Sequence, residues 1–361
     1  MSVKELTQDD MFWNIDRTAT HNCLFNFIVG NRGGGKSFGG KGWVIEKFIK
    51  RGEQFIYVRR FEEDLKEPLE TFFNDISVMF PDYEFKVLGN KLYLRKSLAE
   101  GEDRKWTEDD LCGYGIQLST ANKKKSISYP KVTTMIVDEF LLEESRNQQY
   151  LQNEVRKFME LYETVARPGT NHPDVTVWFL GNAISITNPY FVEFNLKLPN
   201  KMDRNGKRIW KHPNGDILVE FVKNEKFVEA KKNSRFGKMI DGTKYAAYSI
   251  ENEFLLDDDT FIEKRSKKAR HSFNFNYKGK TYGVWYDYSE GKMWVSDAVD
   301  PYGITFSFTT QDHNTNTMLL KSRNKSSCLR PFFECFKAAR LRFENMNIKN
   351  TCYEFLSLAW S

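Results

Sequence analysis

The sequence predicts an α/β fold built on a mainly parallel sheet, followed by a linker and a smaller α+β domain. Three observations carry this. Continuous apolar runs alternate with helical patterns through the first half, as they do when both faces of a sheet are covered. The stretch "FIVGNRGGGKSFGGKG" (27–42) sets seven glycines around Lys36 and Ser37, where an apolar strand gives way to a helical pattern. From about Phe254 onward the texture changes to alternating, hairpin-like segments.

Taken in order, "NCLFNFIVG" (22–30) reads as a buried strand. "SFGGKGWVIEKFIKRG" (37–52) reads as a helix with Val44, Ile45, Phe48 and Ile49 on one face, stopped by Gly52. "EQFIYVRR" (53–60), "LYLRK" (92–96) and "YGIQLST" (114–120) read as further strands. "TTMIVDEFL" (133–141) is an apolar strand running into two acids, and a helical pattern extends from about Glu143 to Ala166. "VTVWFLGNA" (175–183) is another buried strand. Near Pro199 the chain turns basic and rich in turn residues, which reads as a connector. The expected domains are therefore 1–198, a linker over 199–253, and 254–361. In the last, "HSFNFNYKGKTYGVWYDYSEGKMWVSD" alternates around turn pairs at Lys278–Gly279 and Glu290–Gly291. The stretch from Ser326 to the end reads as helical.

Composition narrows the class. With 361 residues, 40% apolar and 30 of them Phe, the chain can fill packed cores and is not a disordered one. No apolar run approaches the roughly 20 residues that span a bilayer. The beginning, "MSVKELTQDDMFWNIDR", is charged and lacks a signal-peptide segment, so a cytosolic protein is expected. The five cysteines (Cys23, Cys112, Cys328, Cys335, Cys352) are odd in number and match no zinc spacing, which fits free thiols. The five histidines form no HExxH-type site. A net charge of +5, from 54 basic and 49 acidic residues, permits a polyanionic partner without requiring one.

Gly30-Asn31-Arg32-Gly33-Gly34-Gly35-Lys36-Ser37 fits the phosphate-loop pattern GxxxxGK[ST] in the strand–loop–helix context that gives the pattern meaning. Glycines let backbone N–H groups turn inward around phosphate oxygens, and the helix N-terminus adds its positive dipole end. These residues, with Phe38 just beyond, are the candidate ATP site. Lys36 would reach the β- and γ-phosphates, and the Ser37 hydroxyl would ligate Mg²⁺. Asp138, at the end of the apolar strand, would hold the Mg²⁺ water shell. Glu139 would polarise the attacking water as general base. Asn182 ends the strand "WFLGN" beside this site, where an amide can bond the γ-phosphate or the water. An Asx turn explains that Asn equally well.

"GNRGGGKS", "GEQFIYVRR", "SISYPKVTTMIVDEF", "SITNPYF", "FGKMIDGTKY" and "FIEKRSK" together resemble the genome-packaging ATPases of small short-tailed (picovirus-type) bacteriophages. Those motors are similar to large terminase subunits. The resemblance runs from about residue 22 to about 350, and its specific part is "GEQFIYVRR", "DGTKY" and "FIEKRSK". It implies a P-loop ATPase domain of the additional-strand, catalytic-glutamate class and a smaller RNase H-like domain without nuclease activity. It implies a homo-oligomeric ring of five subunits, docked on the portal of an empty capsid in the host cytoplasm and driving double-stranded DNA inward. In some members a structural RNA scaffolds the ring.

Carried over residue by residue, Lys36, Ser37, Asp138 and Glu139 match the family's nucleotide site. Arg32 would contact the γ-phosphate in cis. Arg167, in "ETVARPG", matches an arginine that acts on the neighbouring subunit's ATP, and Lys125 a second basic residue at that boundary. Arg60, Lys66, Lys123 and Lys124 are candidate DNA contacts. The run Lys264–Arg270 could grip phosphates or be a solvated loop. Asp287, Asp297, Asp300 and Asp312 are the carboxylates a nuclease centre would need to gather. Two rival readings are a helicase or conjugative-pump ATPase, and a nucleotide-switched assembly scaffold. The first would show strand-separation motifs, and the second would not need Glu139.

Overall fold

A computed structural model of the chain describes residues 12–99, 102–124, 127–142, 150–151, 153–167, 174–182, 188–194, 196, 208–222, 224–243, 246, 261–307, 309–319 and 329–360. The chain divides into two compact units, Met1–Leu255 and Leu256–Ser361.

The first unit is a nine-stranded sheet. Its strands are β1 (Phe25–Gly30), β2 (Gln54–Arg59), β3 (Tyr83–Leu88), β4 (Lys91–Lys96), β5 (Leu111–Gln117), β6 (Val132–Asp138), β7 (Thr176–Asn182), β8 (Arg208–Lys211) and β9 (Ile217–Val222). Across the sheet the order is β3-β4-β5-β2-β6-β7-β1-β9-β8. The central strands from β5 to β9 pair in parallel, and antiparallel partners close both edges. The expected parallel core is therefore present. Its central strands are buried along both faces, which is why they read as unbroken apolar runs.

Successive β1 residues enter opposite layers. Phe27 and Val29 join the core that includes Phe140, Phe158 and Phe179, while Ile28 joins Trp178, Phe55, Tyr57 and Phe72 on the other side. Phe27 and Phe179 stack at 4.2 Å between ring centres, nearly parallel. The first layer is covered by a helix over Glu154–Val165. The second is covered by the helix Lys36–Arg51, which ends as expected on a left-handed Gly52 whose N–H bonds the Phe48 carbonyl. The helical pattern expected from Glu143 starts, among the described residues, at Glu154; 143–149 lie outside them.

Residues 208–222, expected to belong to a connector, instead form β8 and β9 and extend the sheet beside β1. The turn-rich composition around them hid two short strands. Glu220 on β9 is buried and accepts bonds from Trp13 Nε1 at 3.2 Å and from the Thr18 hydroxyl, which locks the segment to the beginning of the unit.

The second unit has a six-stranded sheet in the order β14-β13-β10-β11-β12-β15. Strands β10 (Arg270–Tyr277), β11 (Lys280–Asp287) and β12 (Lys292–Ser296) form an antiparallel meander. Strands β13 (Thr305–Ser307), β14 (Met318–Leu319) and β15 (Leu341–Phe343) add parallel pairs at its flanks. The Lys278–Gly279 turn has positive φ at both residues (50° and 75°), the form that suits hairpin twist. The final stretch is not wholly helical. Helices over Leu329–Lys337 and Met346–Trp360 flank β15, where Leu341 and Phe343 are buried beside β12. Three alternating residues are too few to break a helical pattern in the sequence.

If β8 and β9 belong to the first unit, a chain cut after 198 should expose the edge of β1 and fail to show a cooperative thermal transition. A chain cut after 255 should show one. Circular-dichroism melts and size-exclusion profiles of the two truncations check this; equal behaviour would leave 208–222 dispensable.

Candidate functional site

The site forms where the parallel strands end. Residues 31–35 connect the last residue of β1 to the helix Lys36–Arg51 (α1). Gly33 and Gly35 sit at φ 85° and 79°, a conformation that costs other residues dearly, and the loop closes on itself with Gly34 N–H donating to the Asn31 carbonyl at 3.2 Å. No side chain caps the N-terminus of α1. Its first N–H groups are thus left to an outside acceptor, and an anion is the natural one.

Lys36 is buried, at 6% exposure. Its ammonium donates to the carbonyls of Gly30 (3.1 Å) and Asn31 (2.7 Å) and to Asn182 Oδ1 (3.3 Å). The amide at the end of β7 thus meets the loop lysine directly. Burial pushes Lys36 down to about 8; Asp138 works against that shift and Lys231 with it. The Phe38 side chain is half-buried and packs against the core layer that includes Val44 and Trp178.

Asp138 is the meeting point. Ser37 Oγ donates to its Oδ1 at 3.0 Å, Tyr57 Oη to its Oδ2 at 2.7 Å, and Arg59 Nη1 stands 3.6 Å from Oδ2. Burial, and then the Asp138 charge, push the Tyr57 phenol well up, so it stays a donor. Two oxygens 3.0 Å apart match the edge, about 3.0 Å, of an octahedron with bonds of about 2.1 Å. Ser37 and Asp138 therefore fit Mg²⁺, an ion that takes few protein ligands and fills its shell with water and phosphate. Among the described residues no group of three His, Cys, Asp or Glu is placed to hold a metal by itself.

Glu139 follows in a left-handed conformation (φ 57°) with its carboxylate 60% exposed, against 10% for Asp138. Arg59 Nη2 binds Glu139 Oε2 at 2.8 Å. One oxygen of the carboxylate expected to act as the base is thus engaged by a guanidinium from the end of β2.

Several further candidates find a place. Arg32 is exposed at the rim of the loop, and its carbonyl accepts from Lys231 Nζ at 3.2 Å. Lys66 is exposed on the helix Glu62–Glu70. Lys123 and Lys124 close a short 3₁₀ segment, Leu118–Lys124. Lys125 lies outside the described residues.

Arg60 corrects the expectation of a DNA contact. It is 7% exposed, and its guanidinium is taken up by Glu154 and by the carbonyls of Glu139 and Phe140. A cation so enclosed has no face for a phosphate backbone.

Arg167 lies two residues past Val165, at the far end of the helix Glu154–Val165 (α2). The start of α2 is joined to the end of β2 through Arg60, while Tyr162 near its other end packs on Phe25, the first residue of β1. Twelve residues of helix, about 18 Å, thus carry Arg167 toward the opposite edge of the sheet.

Sequence reasoning missed Tyr57, Arg59 and Lys231. Tyr57 and Arg59 sit in "YVRR", but only the pairing of β2 with β6 puts them beside Asp138. Lys231 comes from the helix Glu225–Asn233, in the stretch expected to be a connector.

The four carboxylates of the second unit go to separate duties. Ser266 and Ser289 donate to Asp287 and hold it down to about 2. Asp297 pairs with Lys280 at 3.0 Å. Asp300 accepts from the Tyr302 N–H, and Asp312 from Gly279 and Thr309.

Fold and site define an α/β protein with a glycine loop at an uncapped helix N-terminus and a facing acidic strand end at the C-terminal edge of a parallel sheet. Comparison with known proteins narrows this. The family described as podovirus DNA encapsidation protein (Gp16) matches residues 7–359, so the chain belongs to that family. The DNA packaging protein of Bacillus phage phi29 is 38% identical over 345 residues, spanning 95% of this chain and 96% of the relative. That of Bacillus phage B103 is 38% identical over 336 residues, 93% and 97% of the two chains. A chain in the solved bacteriophage phi29 viral genome packaging motor assembly superposes with a TM-score of 0.74 at 36% identity, covering 97% of this chain and 99% of that one. The phi28 gp11 DNA packaging motor shares the fold at 20% identity, with a TM-score of 0.61 over 97% and 98%.

The depressed Lys36 gives a pH signature. The cation that would meet phosphate is lost as pH rises through about 8, so nucleotide affinity should fall above that point, by up to about tenfold per pH unit. Titrations of a triphosphate between pH 7.5 and 9.5 measure this. Lys36→Arg, which does not titrate there, should flatten the curve; a flat curve for the unaltered protein would assign the phosphate charge elsewhere.

Proposed function

We propose that this chain is the ATP-hydrolysing motor subunit of a viral DNA-packaging machine, using Mg²⁺–ATP to drive double-stranded DNA through the portal of an empty capsid. One observation carries the reading. A glycine loop with a buried lysine faces a strand end bearing a metal-suited carboxylate and, next to it, a second carboxylate aimed outward. Such an arrangement separates two jobs: Lys36, Ser37 and Asp138 would hold the phosphates and ion, and Glu139 would take the proton of the attacking water. A bound Mg²⁺ would neutralise charge on the β- and γ-phosphates. Asn182, bonded to Lys36, would report the loss of the γ-phosphate to β7. This is the P-loop ATPase design, and Glu139 speaks against a scaffold that only switches. Family membership favours packaging over a helicase or conjugative pump.

Arg167 supports a ring. It sits toward the edge of the sheet away from its own glycine loop, so the ATP within its reach is a neighbouring subunit's. An arginine finger supplied in trans would make hydrolysis depend on ring contact and is worth about 10³ to 10⁵ in rate. Lys125 and Arg32 would add charge on either side of that boundary. Five subunits on a portal is the arrangement the family resemblance implies.

The DNA grip would be phosphate-directed and blind to sequence, because a whole genome must pass. Lys66, Lys123 and Lys124 remain candidates in the first unit. In the second, Lys264, Lys267, Lys268 and Arg270 are exposed, while Arg265 is spent on Glu344 and the Trp285 ring. Five strands of that unit's sheet, three antiparallel with two parallel ones beyond the first, follow an order that supports the RNase H-like reading, and β15 adds a sixth, parallel strand at the other edge. The separate duties of its four acids support a domain that docks rather than cuts.

Steady-state ATPase assays with duplex DNA and empty capsids test the reading. Lys36→Ala should lose nucleotide binding, and Glu139→Gln should keep binding but lose turnover. Mixing Glu139→Gln with Arg167→Ala should restore part of the activity in rings that exchange subunits, since some interfaces then pair an intact Arg167 with an intact Glu139. A flat mixing curve rules out the trans role, and normal turnover in Glu139→Gln removes the base. DNA affinity should fall steeply with salt and hardly vary with base composition; a strong preference for one short sequence would count against the motor.

A further inference from the structure

Arg60 and Glu154 form an enclosed ion pair beside the site, at 7% and 2% exposure. Glu154 receives Arg60 Nε at 2.7 Å on one oxygen and Nη2 at 2.9 Å on the other, and it also accepts the Leu151 N–H at 2.9 Å. The guanidinium also lies over the Tyr150 ring, 4.8 Å from its centre, and its remaining hydrogen bonds go to backbone. Nη2 donates to the Phe140 carbonyl at 3.0 Å and Nη1 to the Glu139 carbonyl at 3.3 Å. The register explains the placement. Val58 of β2 pairs with Val137 of β6, so the two strands end side by side at Arg59 and Asp138, with Arg60 and Glu139 just beyond them. Side chains alternate along a strand, so Arg59 and Arg60 leave on opposite sides. Arg59 takes the Glu139 carboxylate, and Arg60 takes the main chain behind it.

That main chain needs holding. Glu139 is a non-glycine residue at φ 57°, a conformation that persists only where its surroundings over-determine it. Here they do: two successive carbonyls are fixed by one planar guanidinium, and the Phe140 N–H bonds the Leu180 carbonyl on β7 at 3.2 Å. A buried ion pair is weak evidence for stability, because two well-packed apolar residues often serve the fold as well or better.

We propose that Arg60 and Glu154 are positioning residues for hydrolysis: they lock the backbone that aims the Glu139 carboxylate and couple it rigidly to α2, whose far end leads to Arg167. This rests on the reading of Glu139 as the base. The pair then joins a subunit's own hydrolysis centre to the residue it offers its neighbour.

The test uses the full-length protein and the double variant Arg60→Met/Glu154→Leu, which removes the charges and keeps the volume. The expected result is an unfolding midpoint at or above that of the unaltered protein, an unchanged affinity for a slowly hydrolysed ATP analogue, and a kcat lower by about 10²-fold with KM little moved, the scale set by misplacing a reacting group by about an ångström. Combined with Glu139→Gln, the double variant should cost nothing more, because both act through one group. A purely structural pair would lose stability and keep kcat per folded molecule. Should the double variant not fold, Arg60→Lys decides: it keeps the charge on Glu154 but cannot span two carbonyls, so kcat must fall at unchanged melting temperature. A folded double variant, or Arg60→Lys in its place, with unaltered kcat overturns the proposal. Glu139→Gln alone separates the two readings. If it abolishes turnover while the pair variant does not, only the positioning role falls; if it retains turnover, the base falls and the positioning role with it.

Discussion

Parallel strands that start together also end together, and this edge is the constraint on which the site depends. β1, β6 and β7 lie side by side, with Gly30 level with Asn182 and Asp138 level with Leu180. At their C-terminal ends the hydrogen-bonding ladder runs out and the chain must turn. Each strand end delivers something different to the same place: a glycine loop after β1, one carboxylate at the end of β6 and a second just after it, an amide at the end of β7. β2, paired to β6 on its other side, delivers Tyr57 and Arg59. No flexible loop has to fold over to bring these groups together.

Burial then sets the chemistry. Lys36 sits with its charge on carbonyls and an amide rather than on a carboxylate, which leaves Asp138 to Ser37 and Tyr57. The two neighbouring acids are treated oppositely. Asp138 is enclosed and triply contacted; Glu139 is turned outward by a backbone conformation that a side chain rarely tolerates. An enclosed carboxylate suits ion holding, and an accessible one suits proton transfer from water. The consecutive arginines Arg59 and Arg60 divide in the same manner, one to a side chain and one to the main chain.

The large aromatic content has a local purpose in this arrangement. Phe27, Phe140, Phe158, Phe179 and Tyr190 form one contiguous layer behind the strand ends, with edge-on and stacked contacts between ring centres of 4.2–6.4 Å. Rings with few rotatable bonds make a stiff floor. Phe140, the residue after Glu139, is anchored in that floor, so the acid stands on packed ground.

By itself the sequence determined whatever depends on neighbours along the chain. The buried strands, the glycine loop, the helix ended by Gly52 and the hairpin at Lys278–Gly279 are local patterns of burial and backbone freedom, and each appears where the residues place it. The pair Asp138–Glu139 was legible because it ends an apolar run. Tertiary structure decided what depends on which strand lies beside which. Arg60 looked like a surface cation until the pairing of β2 with β6 enclosed it, and Arg59 acquired its carboxylate by the same pairing. Strands β8 and β9 stayed hidden because short strands in a turn-rich stretch take their order from the edge of β1. β15 took its order from β12 in the same way. Charge in particular has no address in a sequence: whether a guanidinium meets water, a phosphate or a buried carboxylate is settled by the partner that packing puts within three ångströms.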